Sequence, residues 1–295
     1  MKKTLAIMTG FVMILMLAAC SETAKPVDET ASGNANGTNK EETKTEEKSG
    51  LTLEEVLTKS TEASEGLKSF SVKMDMSQQM SSDSEAAESM NIDSVIDMDV
   101  TTDPAAFYQK MTMSMEGAEE SYDIESYFTE KGMFLFDAAG EKWMKFPKEM
   151  SDDLLQMSSQ QTNPGEELKK LQQFADDFTF EQDAESYILK LKANGEKFNE
   201  FVRETAAETL PPELAANGEM LENMKINGVE YEIVIDKETF YPNVLNMIME
   251  MEIAADDQKI AMKQTMNGQY SNYNKVEAIT VPQEVIDTAI EMEIE

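Results

Sequence analysis

From Ser69 onward the chain alternates with a period of two residues, and no other feature limits its fold as much. Phe70, Val72, Met74, Met76 and Met80 fall on one side of that alternation, and Ser71, Lys73, Asp75 and Ser77 on the other. Successive side chains of a strand point to opposite faces, so the pattern predicts a sheet with one apolar and one wetted side. After a polar turn through Ser81–Glu88, Ile92, Ile96, Met98 and Val100 oppose Asp93, Asp97 and Asp99. A third run sets Phe107, Met111, Met113 and Met115 against Tyr108, Lys110, Thr112 and Ser114, and a fourth carries Tyr122, Ile124 and Phe128. Shorter runs at Met133–Phe136 and Lys142–Phe146 are separated by the Ala139–Gly140 turn. Strands in such succession, joined by short turns, predict an antiparallel meander.

The flanks are helical. Thr52 and Glu55 have capping-box spacing, which starts a helix with Leu53, Val56, Leu57 and Leu67 inward and Gly66 near its end. In the middle, Ser151 caps a helix through Leu154, Leu155 and Met157. Asn163-Pro164 opens another, with Leu168, Leu171 and Phe174 on one side. Strands are expected near Phe178–Gln182 and Tyr187–Lys192, then a helix through Phe198, Phe201 and Val202 that ends by Leu210-Pro211-Pro212, and a short helix near Glu213–Met224. The period of two then returns in Val229, Tyr231, Ile233 and Ile235, in Leu245, Met247, Met249, Met251 and Ile253, and in Ile260, Met262 and Met266. A final strand over roughly Lys275–Val281 and a helix over Gln283–Ile290 complete the expectation: one α+β domain spanning 51–295, its sheet assembled from two halves.

The N-terminus has a separate job. Lys2 and Lys3 precede an apolar run from Leu5 to Leu17, the layout of a signal peptide over residues 1–19 and too short to span a bilayer, which takes about 20 apolar residues. Leu17-Ala18-Ala19-Cys20 resembles a bacterial lipobox, whose cysteine is acylated after cleavage, and Cys20 is the only cysteine. That predicts a lipid-anchored protein on the extracytoplasmic face of a Gram-positive cell membrane. No intrachain disulfide can form. Residues 20–50 are the lipidated N-terminus and a polar stretch without aromatic residues, read as a disordered tether with a span of roughly 30 Å. Net charge is −33, from 58 acidic and 25 basic residues with no histidine, and it becomes more negative once Lys2 and Lys3 leave. So acidic a chain has no footprint for nucleic acid and no polybasic patch for lipid headgroups. The carboxylates read as a solvated, self-repelling surface or as adaptation to salt or high pH.

The layout is similar to the LolA/LppX-like lipoprotein superfamily, and most to uncharacterised Gram-positive lipoproteins of the DUF6612 type. The resemblance is carried by the lipobox, by the opening helix followed by Ser69-Phe70-Ser71-Val72-Lys73-Met74, and by the close Tyr270-Ser271-Asn272-Tyr273-Asn274-Lys275-Val276, then Ile279-Thr280-Val281-Pro282-Gln283-Glu284-Val285. It implies a strongly curved antiparallel sheet, an incomplete barrel of about 10–12 strands, with helices packed on the concave side around an apolar cavity. It also implies lipid carriage, or sensing of other envelope proteins. It transfers no catalytic residue.

The residues leave three readings of the methionines, 20 of which follow Cys20. They are flexible core, or an adaptable lining for an apolar ligand, or thioether ligands for Cu(I); the lack of histidine weighs against copper. The acidic pairs Asp152-Asp153, Asp176-Asp177 and Asp256-Asp257 lie outside any calcium-loop pattern. Without histidine there is no Ser-His-Asp triad, and no G-x-S-x-G, P-loop or dinucleotide fingerprint occurs. Trp143, beside Met144 and Phe146, is expected in the core or at a cavity rim. We therefore expect a non-enzymatic module without cofactor or metal. It would bind an apolar or lipid-like ligand between sheet and helices, with Phe70, Val72, Met74, Met111, Met113, Phe128, Met249, Met251 and Met262 as lining. The alternative is a ligand-free sensor or protein-interaction module that meets another envelope protein.

Overall fold

The computed structural model describes residues 24–26, 50–82, 89–118, 121–138, 140–148, 151, 164–209, 223–255 and 258–292. Cys20 and the Leu5–Leu17 run lie outside them, as do the expected helices at Leu154–Met157 and Glu213 onward.

In chain order the elements begin with β1 (Lys25–Pro26) and α1 (Leu53–Glu65), then β2 (Ser69–Ser82), β3 (Met90–Thr102), β4 (Ala105–Met115), β5 (Tyr122–Thr129), β6 (Gly132–Asp137) and β7 (Lys142–Lys145). Next come α2 (Pro164–Leu171), a 3-10 turn (Gln172–Asp177), β8 (Phe178–Gln182), β9 (Ser186–Ala193) and α3 (Glu196–Thr209). The chain closes with β10 (Met224–Asp236), β11 (Pro242–Ala255), β12 (Gln258–Ser271), α4 (Gln283–Thr288) and β13 (Ile290–Glu291). All strands join one open, curved, 13-stranded sheet in the order β1-β8-β9-β10-β11-β12-β2-β3-β4-β5-β6-β7-β13. The fold is α+β, as expected, and the two-residue strands at the edges account for the count above twelve.

The two runs of alternation are two meanders joined by one non-local pairing, β12 against β2, with Met266 opposite Met76 and Tyr270 opposite Val72. Directly paired residues share a face, so the register propagates from strand to strand. Phe70, Val100, Phe107, Phe128 and Met133 therefore lie on one side, here the inner face. On the outer face Lys73, Asp97, Lys110 and Glu125 stand directly opposite one another, a run of alternating charge that suits a wetted surface.

α1 begins as its spacing predicts: Thr52 Oγ1 accepts from the Glu55 amide at 3.2 Å, and the Thr52 amide donates to Glu55 Oε2 at 2.8 Å. α1, α2, the 3-10 turn and α3 close the inner face over β8–β11. Val56, Leu57, Leu168, Leu171, Phe174 and Phe198 form one core there with Leu189, Leu191, Ile233 and Ile235.

Three observations depart from the sequence reading. First, Lys275–Val281 is not a strand. Asn272 (φ 53°) and Asn274 (φ 58°) take left-handed conformations, which asparagine tolerates, and turn the chain off the sheet. The Asn274 amide donates to Ser69 O at 2.7 Å, and its Oδ1 accepts from the Lys68 amide at 2.8 Å. The Tyr270-Ser271-Asn272-Tyr273-Asn274 stretch is thus a clasp locking the end of β12 to the start of β2. Tyr273 completes it by stacking on Tyr241 at 4.4 Å.

Second, α4 is shorter than Gln283–Ile290 and sits on the outer face, unlike the other helices. Phe134 points outward on β6 because its partner Tyr127 does, and Val281 and Val285 bury it to 1% exposure. Third, part of the segment read as a tether lies in the sheet. Lys25 and Pro26 pair in parallel with Glu181 and Gln182, and Ala24 is buried in the main core, where its carbonyl accepts from Gln182 Nε2 at 3.2 Å.

Candidate functional site

Among the described residues, all sixteen methionines that occupy strands share the inner face. They are Met74, Met76 and Met80 on β2, Met90 and Met98 on β3, Met111, Met113 and Met115 on β4, Met133 on β6, Met144 on β7, Met224 on β10, Met247, Met249 and Met251 on β11, and Met262 and Met266 on β12. Only Met224 and Met251 are buried; most of the others are half-buried and Met90 is exposed. The inner face thus has two regions. Over β8–β11 it is closed by helices, and over β12 and β2–β5 its methionines keep part of their surface free.

The nine residues expected to line a cavity all lie on this face, in two environments. Phe70, Val72, Phe128 and Met251 are close-packed, Phe70 at 1% exposure and Phe128 at 2%. Met74, Met111, Met113, Met249 and Met262 are half-buried. Phe128 stacks on Phe107 at 4.8 Å between centroids, while Phe70 rests against the rings of Tyr270 and Tyr273. The first group builds the floor of the face, and the second forms its surface.

Within the methionines lies a polar spot that the sequence reading missed. Gln78 and Gln264 are directly opposite each other on the inner face, their amides 3.5 Å apart, and Gln264 Nε2 lies 3.6 Å from Met76 Sδ. Gln109 shares the face opposite Met98, and Ser94 and Ser126 are buried on it. The signal was in plain view: Gln78 falls between Met76 and Met80, and Gln264 between Met262 and Met266, both in phase with the apolar period. A largely apolar surface with a few convergent polar groups is the usual make-up of a small-molecule site.

Trp143 is not at the rim of this face. It lies on the outer face, where Tyr127 and Phe136 are 5.6 and 5.4 Å from its ring, partly beneath α4. Beside it the Tyr108 hydroxyl donates to Glu125 Oε1 at 2.6 Å, and burial together with that carboxylate pushes the phenol well above its ordinary range. A polar recess of about 480 Å³ opens where α3 meets β10, lined by Gly195, Glu196, Asn199, Arg203 and Asn223–Asn227. Arg203, the single arginine, is held there by Glu196 at 2.7 Å. Among the described residues no three cysteine or carboxylate side chains gather in a metal-binding group.

The model of a family described as being of unknown function, DUF6612, matches residues 52–290. No curated protein matches the chain by sequence. Among solved structures it is similar to LprF from Mycobacterium bovis, at 12% identity and TM-score 0.40, over 78% of this chain and 96% of that one. It is also similar to a LolA superfamily protein from Nitrosomonas europaea, at 10% identity and TM-score 0.21, over 80% of this chain and 97% of that one. A structure titled for lipid-protein interactions in lipovitellin aligns at 6% identity and TM-score 0.34, over 73% of this chain and 26% of that one.

Proposed function

The chain belongs to DUF6612, a family without an assigned activity, and we propose from its inner face that it binds an apolar, lipid-like molecule. The ligand lies on the inner face beside the helices, against the half-buried methionines of β2, β4, β11 and β12. The observation that carries the reading is that, among the described residues, every strand methionine shares one face, while most keep part of their surface uncovered. Flexible thioethers repack around apolar shapes of different outline, which suits a pliable acyl chain better than a rigid ligand. Covering the remaining area gains about 25 cal/mol per Å². Gln78 and Gln264 supply donors and acceptors for the polar end of such a molecule. The protein does this as an acylated, extracytoplasmic lipoprotein held at the membrane by Cys20, and it works by binding, with no chemical step.

The test is native mass spectrometry and lipid extraction of the full-length protein purified from membranes, with displacement of an environment-sensitive fluorescent fatty acid as the second readout. Wild type should carry apolar adducts and bind the probe. Met111→Lys with Met113→Lys should weaken probe binding at least tenfold, with little change in urea midpoint, because both positions are half-exposed. Absence of adduct and of saturable probe binding in wild type refutes the reading. A single stoichiometric protein partner found in its place would turn it toward an interaction module.

A further inference from the structure

The sheet sorts its residues by charge as strictly as by hydrophobicity. Among the described residues, every charged side chain on β10–β12 and β2–β5 belongs to the outer face, from Lys225 and Glu230 on β10 to Asp123 and Glu125 on β5. The inward charges of the sheet, Asp137 and Lys142, stand opposite one another at the far end of β6 and β7. In a chain with 58 acidic and 25 basic residues, the alternation thus leaves a broad inner face with no ionised group. The polar side chains there are amides and hydroxyls. Gln78, Gln109, Gln264, Ser94 and Ser126 lie among the methionines, with Ser82 toward one end of the face and Thr102 toward the other.

Gln78 and Gln264 sit inside this apolar surface and not at its margin. Along their own strands they fall between Met76 and Met80 and between Met262 and Met266, and across the sheet Met249 and Ile92 flank the pair. Both are half-buried. Among the described residues their hydrogen-bond partners are each other, at 3.5 Å, and the Met76 thioether, 3.6 Å from Gln264 Nε2 and 4.0 Å from Gln78 Nε2. A primary amide carries two donor hydrogens and a carbonyl acceptor, and a thioether is a weak acceptor. Donors and an acceptor therefore remain for a ligand, whichever way each amide is turned.

Resting on the reading of this face as the site of an apolar ligand, we infer that the ligand is an acyl lipid whose polar end is un-ionised, of the acylglycerol or fatty-alcohol class, selected by Gln78 and Gln264. A hydroxyl placed on the pair uses both a donor and an acceptor, and an ester carbonyl uses a donor. A carboxylate or phosphate gives up water there with no cation to replace it, and an ammonium with no anion. Removing an unpaired charge from water costs far more than removing a hydroxyl that keeps its hydrogen bonds. Sliding along the face brings no relief, because Ser82 and Thr102 toward its ends are uncharged too. Selectivity thus comes from a penalty on the wrong headgroup as much as from a bond to the right one.

The full-length protein, in nonionic detergent, is offered an equimolar mixture of mono-oleoylglycerol, oleoyl lysophosphatidate, oleylamine and octadecene. These share one chain length and differ in the polar end. Lipid retained through gel filtration is extracted and quantified by mass spectrometry, relative to the mixture supplied. Mono-oleoylglycerol should exceed each charged lipid by roughly tenfold or more. Gln78→Leu with Gln264→Leu keeps the bulk and removes the amides, and should lower the ratio of mono-oleoylglycerol to octadecene several-fold. Gln78→Lys places a cation among the methionines and should raise retention of oleoyl lysophosphatidate roughly tenfold. Far-UV circular dichroism checks the fold of each variant. Oleoyl lysophosphatidate or oleylamine retained by wild type as well as mono-oleoylglycerol overturns the inference and leaves the apolar-ligand reading standing. An unchanged ratio to octadecene in the folded leucine variant overturns the role of the amide pair. Retention of none of the four lipids overturns the apolar-ligand reading, and the inference with it.

Discussion

Removing the Asn199 side chain should detach α3 from the sheet. β9 ends at Ala193, opposite Val229, so the first residues of β10 have β11 on one side and no strand on the other. Asn199 takes the place of that missing strand. Its Oδ1 accepts from the Ile226 amide at 2.6 Å, and its Nδ2 donates to Ile226 O at 3.1 Å and to Gly195 O at 2.9 Å. The side chain is 5% exposed and sits beside the irregularity between Ile226 and Gly228. Asn199→Ala deletes three hydrogen bonds, each worth about 1 kcal/mol net, and leaves a buried amide unpaired at about 1–3 kcal/mol. Partial hydration offsets some of this, so the expected loss is roughly 2–4 kcal/mol.

Urea unfolding followed by far-UV circular dichroism reads that loss as a midpoint lowered by roughly 1–2 M, for a slope of about 2 kcal/mol per M. Asn199→Asp keeps the shape but replaces a donor with an acceptor facing two carbonyls, so it should be at least as damaging as alanine. Hydrogen exchange at the Ile226 amide should accelerate in both variants, and Phe198, buried at 1% on the same helix, should become accessible. An Asn199→Ala loss below about 0.5 kcal/mol, the range of ordinary surface changes, would refute the surrogate-strand argument.

Other outcomes follow from the same geometry. Phe134→Ala empties the outer-face cluster under α4 and should cost about 3–5 kcal/mol in thermal or urea unfolding. Because Phe134 faces away from the methionines, fluorescent fatty-acid binding by the folded fraction should stay unchanged, and its loss would contradict the face assignment. The Tyr273 hydroxyl donates to Pro242 O, and burial, followed by the neighbouring Tyr270 and Tyr241, raises its ionisation far above the usual phenol range. A raised folded value means its contribution is whole below about pH 10. Stability should then fall as pH climbs past that point, and Tyr273→Phe should flatten the fall while costing about 1 kcal/mol at neutral pH. For Asp236, burial pushes the carboxyl up, but the Thr239 hydroxyl and the Thr239 and Glu238 amides outweigh it and hold it below its ordinary 3.8. Asp236→Asn should therefore be less stable than wild type at neutral pH. That gap should close as pH falls below about 4, and a gap independent of pH would refute the assignment.

The methionine face was written in the sequence because a strand's side-chain period is two whatever its neighbours are. Met111, Met113 and Met115 must share a side, and so must Met247, Met249 and Met251. The start of α1 was legible for a similar reason: a capping box is closed by Thr52 and Glu55, three residues apart. The in-phase Gln78 and Gln264 were legible too, and a reading that counted only apolar positions passed over them.

Other features needed the folded chain, because they depend on which distant segments meet. Periodicity says which residues of one strand share a face, but not that β12 pairs with β2 and so puts Met266 beside Met76. Nothing local to Asn199 says that β9 ends one strand away and leaves Ile226 to be satisfied. The clasp at Asn272–Asn274 and the outward turn to α4 likewise depend on Ser69, Lys68 and Phe134, far away in sequence. Ala24–Pro26 is the extreme case: three residues of a polar, unpatterned stretch become structure only because the edge of β8 offers them unpaired backbone and Gln182. The sequence by itself determined the chemistry of the two faces. Tertiary structure decided which part of the inner face stays uncovered, because pairing between segments far apart in the chain leaves no periodic trace within either segment.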